Sequence, residues 1–275
     1  MKKYRSKKRK KKGSLLIICI LVLCAAAWLF LPRAAEAPKE YGKIEGYETL
    51  GIIEDEVAEE EGENAVPQEQ GVESTPLTFQ SLNIPPYSGD PYYLISNIPN
   101  ITDEEKERAL ASYIDLADLD YLGRCGACEA SVGLDLLPED DRESIGMVKP
   151  SGWHTVRYDD LISDKYLYNR CHLIAFCLSS LNAEERNLVT GTRYMNVTGM
   201  LPFETETVRY VEKTGNHVFY RVTPIFEGED LVCRGVRMEA YSIEDSGERI
   251  SFDVFCYNNQ PGIVIDYATG ESWRE

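Results

Sequence analysis

Apolar and polar positions divide the chain into three textures. Residues 15–31 form an unbroken apolar run of seventeen without a charge. That is the short end of a membrane span and slightly long for a signal-peptide core. Residues 34–75 are Glu-rich with few aromatics, a composition that cannot offset its ordering entropy and so predicts a solvated spacer. Patterned segments begin near Leu77. A short apolar stretch at 94–100 runs into a turn at Pro99. Thr102 then caps a helix whose first turn holds Asp103, Glu104 and Glu105, and Ala109, Leu110, Tyr113, Ile114 and Ala117 follow at helical spacing. This predicts a helix from 103 to about 117.

Beyond that point the rhythm changes to alternation. Cys128, Ala130, Val132 and Leu134 alternate with other residues, and so do Trp153, Thr155 and Arg157 with His154, Val156 and Tyr158. Residues 166–170, 218–225, 231–241 and 250–257 are further β-rich runs, punctuated by Gly228, Gly247 and Pro261-Gly262. Two helical pieces interrupt them, at about 175–181 and from 203 to about 214, the second stopped at Gly215. The expected fold is α+β, a mostly antiparallel sheet with helices inserted mid-chain.

Charge adds direction to this order. Nine of the first twelve residues are Lys or Arg, which sets the basic end in the cytoplasm and everything after Pro32 outside. The expected organisation is a basic cytoplasmic segment at 1–13, a transmembrane signal anchor at 14–32, a disordered acidic linker at 33–76 and one domain at 77–275. The protein is then a single-pass membrane protein with its domain extracellular. Secretion after cleavage is the alternative, since Ala35-Glu36-Ala37 has small-x-small spacing, although Pro38 disfavours that cut. Cys24 follows Leu-Val-Leu, which argues against a lipid attachment site. From Pro76 onward 17 basic residues face 33 acidic ones, which excludes a tight, nonspecific nucleic-acid clamp but not local grip on a few phosphates. No obligate protein partner is implied.

Chemistry concentrates between 168 and 204. Of three histidines, His154 and His217 lie among apolar neighbours in strand-like runs and read as structural. His172 follows Arg170 at a strand end and precedes a helix. A neutral imidazole there can take a proton from water while a backbone carbonyl holds its other nitrogen. Arg170 offers a planar, permanently charged fork suited to a phosphoryl group. Asn196 supplies a hard oxygen for magnesium, although Asn196-Val197-Thr198-Gly199 is equally a turn and a glycosylation sequon. Glu204 can hold a metal's waters or merely place a carboxylate at a helix N-terminus.

These residues resemble the DNA/RNA non-specific endonuclease family, which belongs to the ββα-metal (His-Me finger) nucleases and includes bacterial DNA-entry nucleases. The family signature is Asp-Arg-Gly-His, then a metal-binding Asn, then a Glu eight residues on. Asn169-Arg170-Cys171-His172 matches the tetrad at its second and fourth positions, and Asn196 and Glu204 keep the eight-residue gap. Asn187-Leu188-Val189-Thr190-Gly191-Thr192-Arg193 and Met200-Leu201-Pro202-Phe203-Glu204 also resemble the family. Asn169 departs from the acid and Cys171 from the glycine, and Pro202 threatens the helix that carries both Asn and Glu in relatives. The resemblance implies a Mg2+-dependent endonuclease, Mn2+ substituting, that hydrolyses DNA, RNA or both to 5′-phosphate products. It implies His172 as general base, Arg170 and Glu204 as further catalytic groups and Asn196 as metal ligand. Asn187, Arg193 and Arg209 are candidate substrate contacts.

Two other readings compete. Cys125-Gly126-Ala127-Cys128 suits a redox or zinc motif, but it lies in a β-hairpin region without a second pair, so a structural disulfide or plain thiols is the expectation. A catalytically weak, membrane-anchored receptor for DNA uptake is the alternative function; the intact His172 and Asn196 weigh against it.

Overall fold

The computed structural model describes residues 77–275. The segments expected at 1–13, 14–32 and 33–76 lie outside the described residues, and within the described residues no helix is long and apolar enough to cross a membrane. In chain order the strands are β1 (Tyr92–Ser96), β2 (Tyr113–Leu116), β3 (Cys128–Val132), β4 (Tyr168–His172), β5 (Leu188–Thr192), β6 (Val218–Ile225), β7 (Gly235–Ser242), β8 (Ser251–Tyr257), β9 (Ile263–Ile265) and β10 (Ser272–Arg274). The helices are α1 (Asp103–Arg108), α2 (Phe176–Ser179) and α3 (Leu201–Thr214), and a π-helical turn, Met195–Met200, leads into α3.

Six strands form one antiparallel sheet in the order β1-β8-β7-β6-β3-β2, while β4 pairs with β5 and β9 with β10 in separate ribbons. Period-2 alternation explains the two faces of the large sheet. Val218, Tyr220 and Val222 of β6, Met238 and Ala240 of β7, and Val254 and Cys256 of β8 point to one side. There they bury against Ile174, Leu178, Met200, Phe203 and Val211 from the site-bearing segment. Each large side chain so buried stabilises the fold by about 1.5–3 kcal/mol. The aromatic rings of Tyr92, Phe203 and Phe252 lock α3 onto this face, with centroids 5.0 and 4.9 Å apart.

The opposite face carries a charge ladder. Arg221 reaches Glu105 at 2.7 Å, Glu239 at 3.0 Å and Glu129 at 3.4 Å. Next to it, Arg237 holds Asp253 through both Nε and Nη2 at 2.8 and 2.6 Å. Glu239 and Asp253 are buried, and such carboxylates are tolerable only because they are paired and hydrogen-bonded.

Two expectations about elements fail. The predicted Thr102 N-cap is present, completed to a capping box by Glu105, but α1 stops at Arg108 and residues 113–116 form β2 instead of extending the helix. Pairing of β2 with β3 wins over helical spacing: Tyr113 donates to Glu129 at 2.8 Å, and Leu110, which the helix reading needs inside, is 57% exposed. Residues 153–158 are likewise no strand. They make one bridge, Arg157 to Tyr166, and are held by packing Trp153 and Val156 against the small core under β9 and β10.

Candidate active site

The β4–β5 ribbon delivers His172 and the helical segment after β5 delivers Asn196 and Glu204. Asn187 shapes the end of this ribbon. Its amide accepts from Ile174 N–H at 2.8 Å and donates to Ile174 C=O at 2.9 Å, replacing ladder bonds where β4 turns into α2. Asn187 is fully buried with both ends committed, so it is a backbone clamp and not the substrate contact expected of it.

His172 closes β4 and is 6% exposed. Its Nε2 lies 2.8 Å from the Asn182 carbonyl, and Arg142 Nη2 lies 3.2 Å from Nδ1. A carbonyl only accepts and a guanidinium only donates, so the ring is neutral with its proton on Nε2 and its lone pair on Nδ1. Burial, aided by the Arg142 charge, lowers the imidazole to about 4 despite the Asn182 carbonyl.

Pro202 does not break the segment bearing Asn196 and Glu204; it falls where the π-helical turn passes into α3, and the helical backbone runs on through it. The π-helical turn before it, a feature frequent at functional sites, carries Asn196. Asn196 Oδ1 accepts from the Cys171 thiol at 3.2 Å. Glu204 is buried on the first turn of α3 and makes no hydrogen bond or ion pair among the described residues. Burial raises it to about 8, with Arg142 opposing. Tyr220 brings a buried hydroxyl without a partner from the sheet, and the Glu204 charge acts on it.

The remaining arginines divide. Arg170, expected as the phosphate fork, donates instead to the carbonyls of Val148 and, at 2.8 Å, Gly146, and stacks on Trp153 at 4.0 Å. Arg193 is ion-paired to Asp164. Arg209 is exposed and makes no ion pair among the described residues. Arg142 was missed by sequence reasoning: it sits in Pro138-Glu139-Asp140-Asp141-Arg142-Glu143, which reads as a solvated acidic loop. Only folding brings its charge beside His172, Glu204 and Cys171. Asn182 and Tyr220 were missed for the same reason.

The other histidines are held structurally, His154 by the Thr269 carbonyl at 3.1 Å and His217 by Glu244 at 2.7 Å. All six cysteines among the described residues are free thiols. Cys125 donates to the carbonyls of Glu185 and Leu188, and Cys128 to that of Arg186, so plain thiols describe this pair.

A hard divalent cation fits this donor set. Asn196 Oδ1 and the unpartnered Glu204 carboxyl are oxygen donors, and the Tyr220 hydroxyl, near Glu204, is an orphan. No group of three or more His, Cys, Asp or Glu among the described residues forms a closed cage. With so few protein oxygens at hand, an ion held by Asn196 and Glu204 would keep several of its waters, a coordination that suits magnesium.

A two-stranded ribbon ending in histidine, followed by a helix bearing Asn and Glu, defines the ββα arrangement of a nuclease. The chain belongs to the DNA/RNA non-specific endonuclease family, which residues 100–244 match. NucA from Streptococcus agalactiae, solved with no metal bound, is 26% identical with a TM-score of 0.57, over 65% of this chain and 84% of that one. Its magnesium-bound structure gives 26% and 0.53 over 60% and 79%. The Sda1 nuclease with bound zinc shares the fold at 24% identity and a TM-score of 0.52, over 68% and 97%. A deoxyribonuclease of Streptococcus dysgalactiae subsp. equisimilis is 30% identical over 112 residues, 39% of this chain; the match spans 33% of that curated relative.

Proposed function

We propose that the protein is a divalent-cation-dependent endonuclease that hydrolyses phosphodiester bonds of DNA, RNA or both, leaving 5′-phosphates. The observation that carries this reading is the neutral His172, its Nε2–H tied to the Asn182 carbonyl and its Nδ1 lone pair met by Arg142 Nη2 at 3.2 Å, which opens to a proton when that arginine moves to substrate. His172 Nδ1 takes the proton of a water aimed at phosphorus, and the imidazolium so formed is held by the Asn182 carbonyl. Asn196 would hold the ion through its amide oxygen, and Glu204 would hold it through its waters. When bound, the ion supplies charge neutralisation at the phosphoryl and departing oxygens.

Arg142 has the right reach for the remaining charge. In the free protein it contacts the base; with substrate, its fork turns to a non-bridging phosphate oxygen and leaves Nδ1 to water. Arg170 supports this from behind by fixing the loop at 146–148. Arg209, exposed on α3, remains a candidate for a flanking phosphate, whereas Arg193 is committed to Asp164. Magnesium is the expected ion; the relatives solved with magnesium and with zinc support a divalent cation. The basic and apolar N-terminal segments support display on the outer face of the cell.

The test is plasmid nicking and RNA digestion with Mg2+, with EDTA, and with His172→Ala. Loss of cleavage with EDTA and a fall of about 100-fold or more in His172→Ala are expected. Cleavage unchanged by that substitution ends the assignment, and retention of DNA without cleavage by the wild type favours an uptake receptor.

A further inference from the structure

Cys171 stands where the family signature has glycine, and its side chain is fully buried between β4 and the segment that bears Asn196. Sγ lies 3.2 Å from Asn196 Oδ1, the one hydrogen bond that amide makes among the described residues, and 3.4 Å from Met200 Sδ. The neighbouring strand leaves a matching space. A Cβ at Gly191 would fall 2.7 Å from Cys171 Cβ and 2.7 Å from Met195 Cε. Glycine at 191 therefore leaves the room that the Cys171 side chain occupies beside the amide.

We infer that Cys171 is a positioning residue for the cation ligand, its S–H fixing which end of the Asn196 amide is the oxygen end. The two ends of an amide are nearly equal in shape and opposite in hydrogen-bonding sign. A cation needs the oxygen; a flipped amide presents an N–H2 group that repels it. A carbonyl oxygen has two lone pairs, so the thiol occupies one and leaves the other. Relatives with glycine have no such donor at this position, so their Asn must be oriented by other means. The inference rests on Asn196 as cation ligand, and it assigns the reason that amide is preset before the ion arrives.

The experiment titrates Mn2+ into the metal-free full-length protein and reads free Mn2+ by electron paramagnetic resonance, which needs no turnover. Cys171→Ser keeps a donor and should bind within about twofold of wild type; Cys171→Ala and Cys171→Gly remove it and should bind about fivefold more weakly. Asn196→Asp has oxygen at both ends, so adding Cys171→Ala to it should change affinity by less than about twofold. That rescue separates orientation from packing, because a packing defect would persist in the Asp background. Cys171→Ala and Cys171→Gly binding like wild type while Asn196→Ala loses the ion overturns the inference alone. An equal loss in the Asp background does the same. Undiminished binding by Asn196→Ala removes the ligand assignment and, with it, this inference.

Discussion

Arg142 Nη2 and His172 Nδ1 meet at 3.2 Å across a gap of thirty residues in sequence, a cation placed on the lone pair of the proposed general base. The contact defines the tautomer and also depresses basicity, alongside the dominant effect of burial. Below its pKa the imidazole is protonated and cannot accept from water. The acid limb of kcat/KM should therefore lie near pH 4, not near the 6.5 of a free histidine. Arg142→Gln removes the positive charge and should move that limb upward while lowering the plateau about tenfold or more through loss of phosphate contact. A limb near 6.5 in the wild type, unmoved by Arg142→Gln, would contradict the arrangement.

Glu204 and His172 give the metal-free fold opposite pH dependences. The Glu204 carboxyl is raised to about 8 by burial, so its contribution is full below about 4.5, the ordinary value, and is lost as pH rises through 8. His172 is lowered, so its contribution is full above 6.5 and is lost as pH falls through 4. Urea midpoints of EDTA-treated protein should thus stay level between about pH 4.5 and 6.5, where the two opposite slopes cancel, and should fall from about pH 6.5 to 8. Glu204→Gln should abolish the fall between pH 6.5 and 8 and unmask the His172 slope, so that the midpoint declines as pH drops from about 6.5 to 4. A midpoint that still drops from pH 7 to 9 in Glu204→Gln would remove Glu204 as the cause.

Asn187 and Arg170 should show as stability residues. Asn187→Ala strands the buried Ile174 N–H and C=O, at about 1–3 kcal/mol each, and should lower the urea-derived stability accordingly. Arg170→Met should lose the two carbonyl contacts and the stack on Trp153, with a fall of about 2–4 kcal/mol. Activity should fall in these variants in step with unfolding and recover on cooling, whereas Arg142→Gln should lose activity with its melting temperature nearly unchanged. A stable Arg170→Met with abolished cleavage would return Arg170 to the phosphate.

The division between legible and illegible residues follows from what local sequence can encode. Strands β6, β7 and β8 were readable as β-rich runs because both of their faces are largely buried over seven or eight residues, which selects β-branched and aromatic side chains. Helix α3 was readable from Phe203 to its stop, because Gly215 adopts φ 72°, where only glycine is unstrained. Residues 113–116 were misread because five apolar positions suit a helix face as well as a sheet edge, and the deciding partner, β3, is distant in sequence. Within the site, His172, Asn196 and Glu204 share one short continuous stretch and so form a pattern. Arg142, Asn182 and Tyr220 reach it from separate loops and the far sheet, and nothing in their own neighbourhoods marks them. Asn187 was misassigned because a buried clamp and a substrate contact look alike in sequence; only the accounting of both amide ends separates them.

Gly191 and Cys171 should behave as a coupled pair. Along β5 every residue is buried, and at 191 an added Cβ meets Cys171 Cβ at 2.7 Å, closer than real carbon contacts allow, with strand backbone fixing both sides. Met195 Cε is equally near but is the far end of a flexible side chain, so it can give way. Overpacking of this kind costs about 1–3 kcal/mol, and Gly191→Ala should lower the urea-derived stability by that amount. Cys171→Gly deletes the opposing carbon, so the same Gly191→Ala substitution made on it should cost about 1 kcal/mol less, a coupling that a double-mutant cycle measures directly. Purely additive losses would mean that the strand pair relaxes around the new methyl group, and that the cysteine at 171 does not depend on the glycine diagonally across the ribbon.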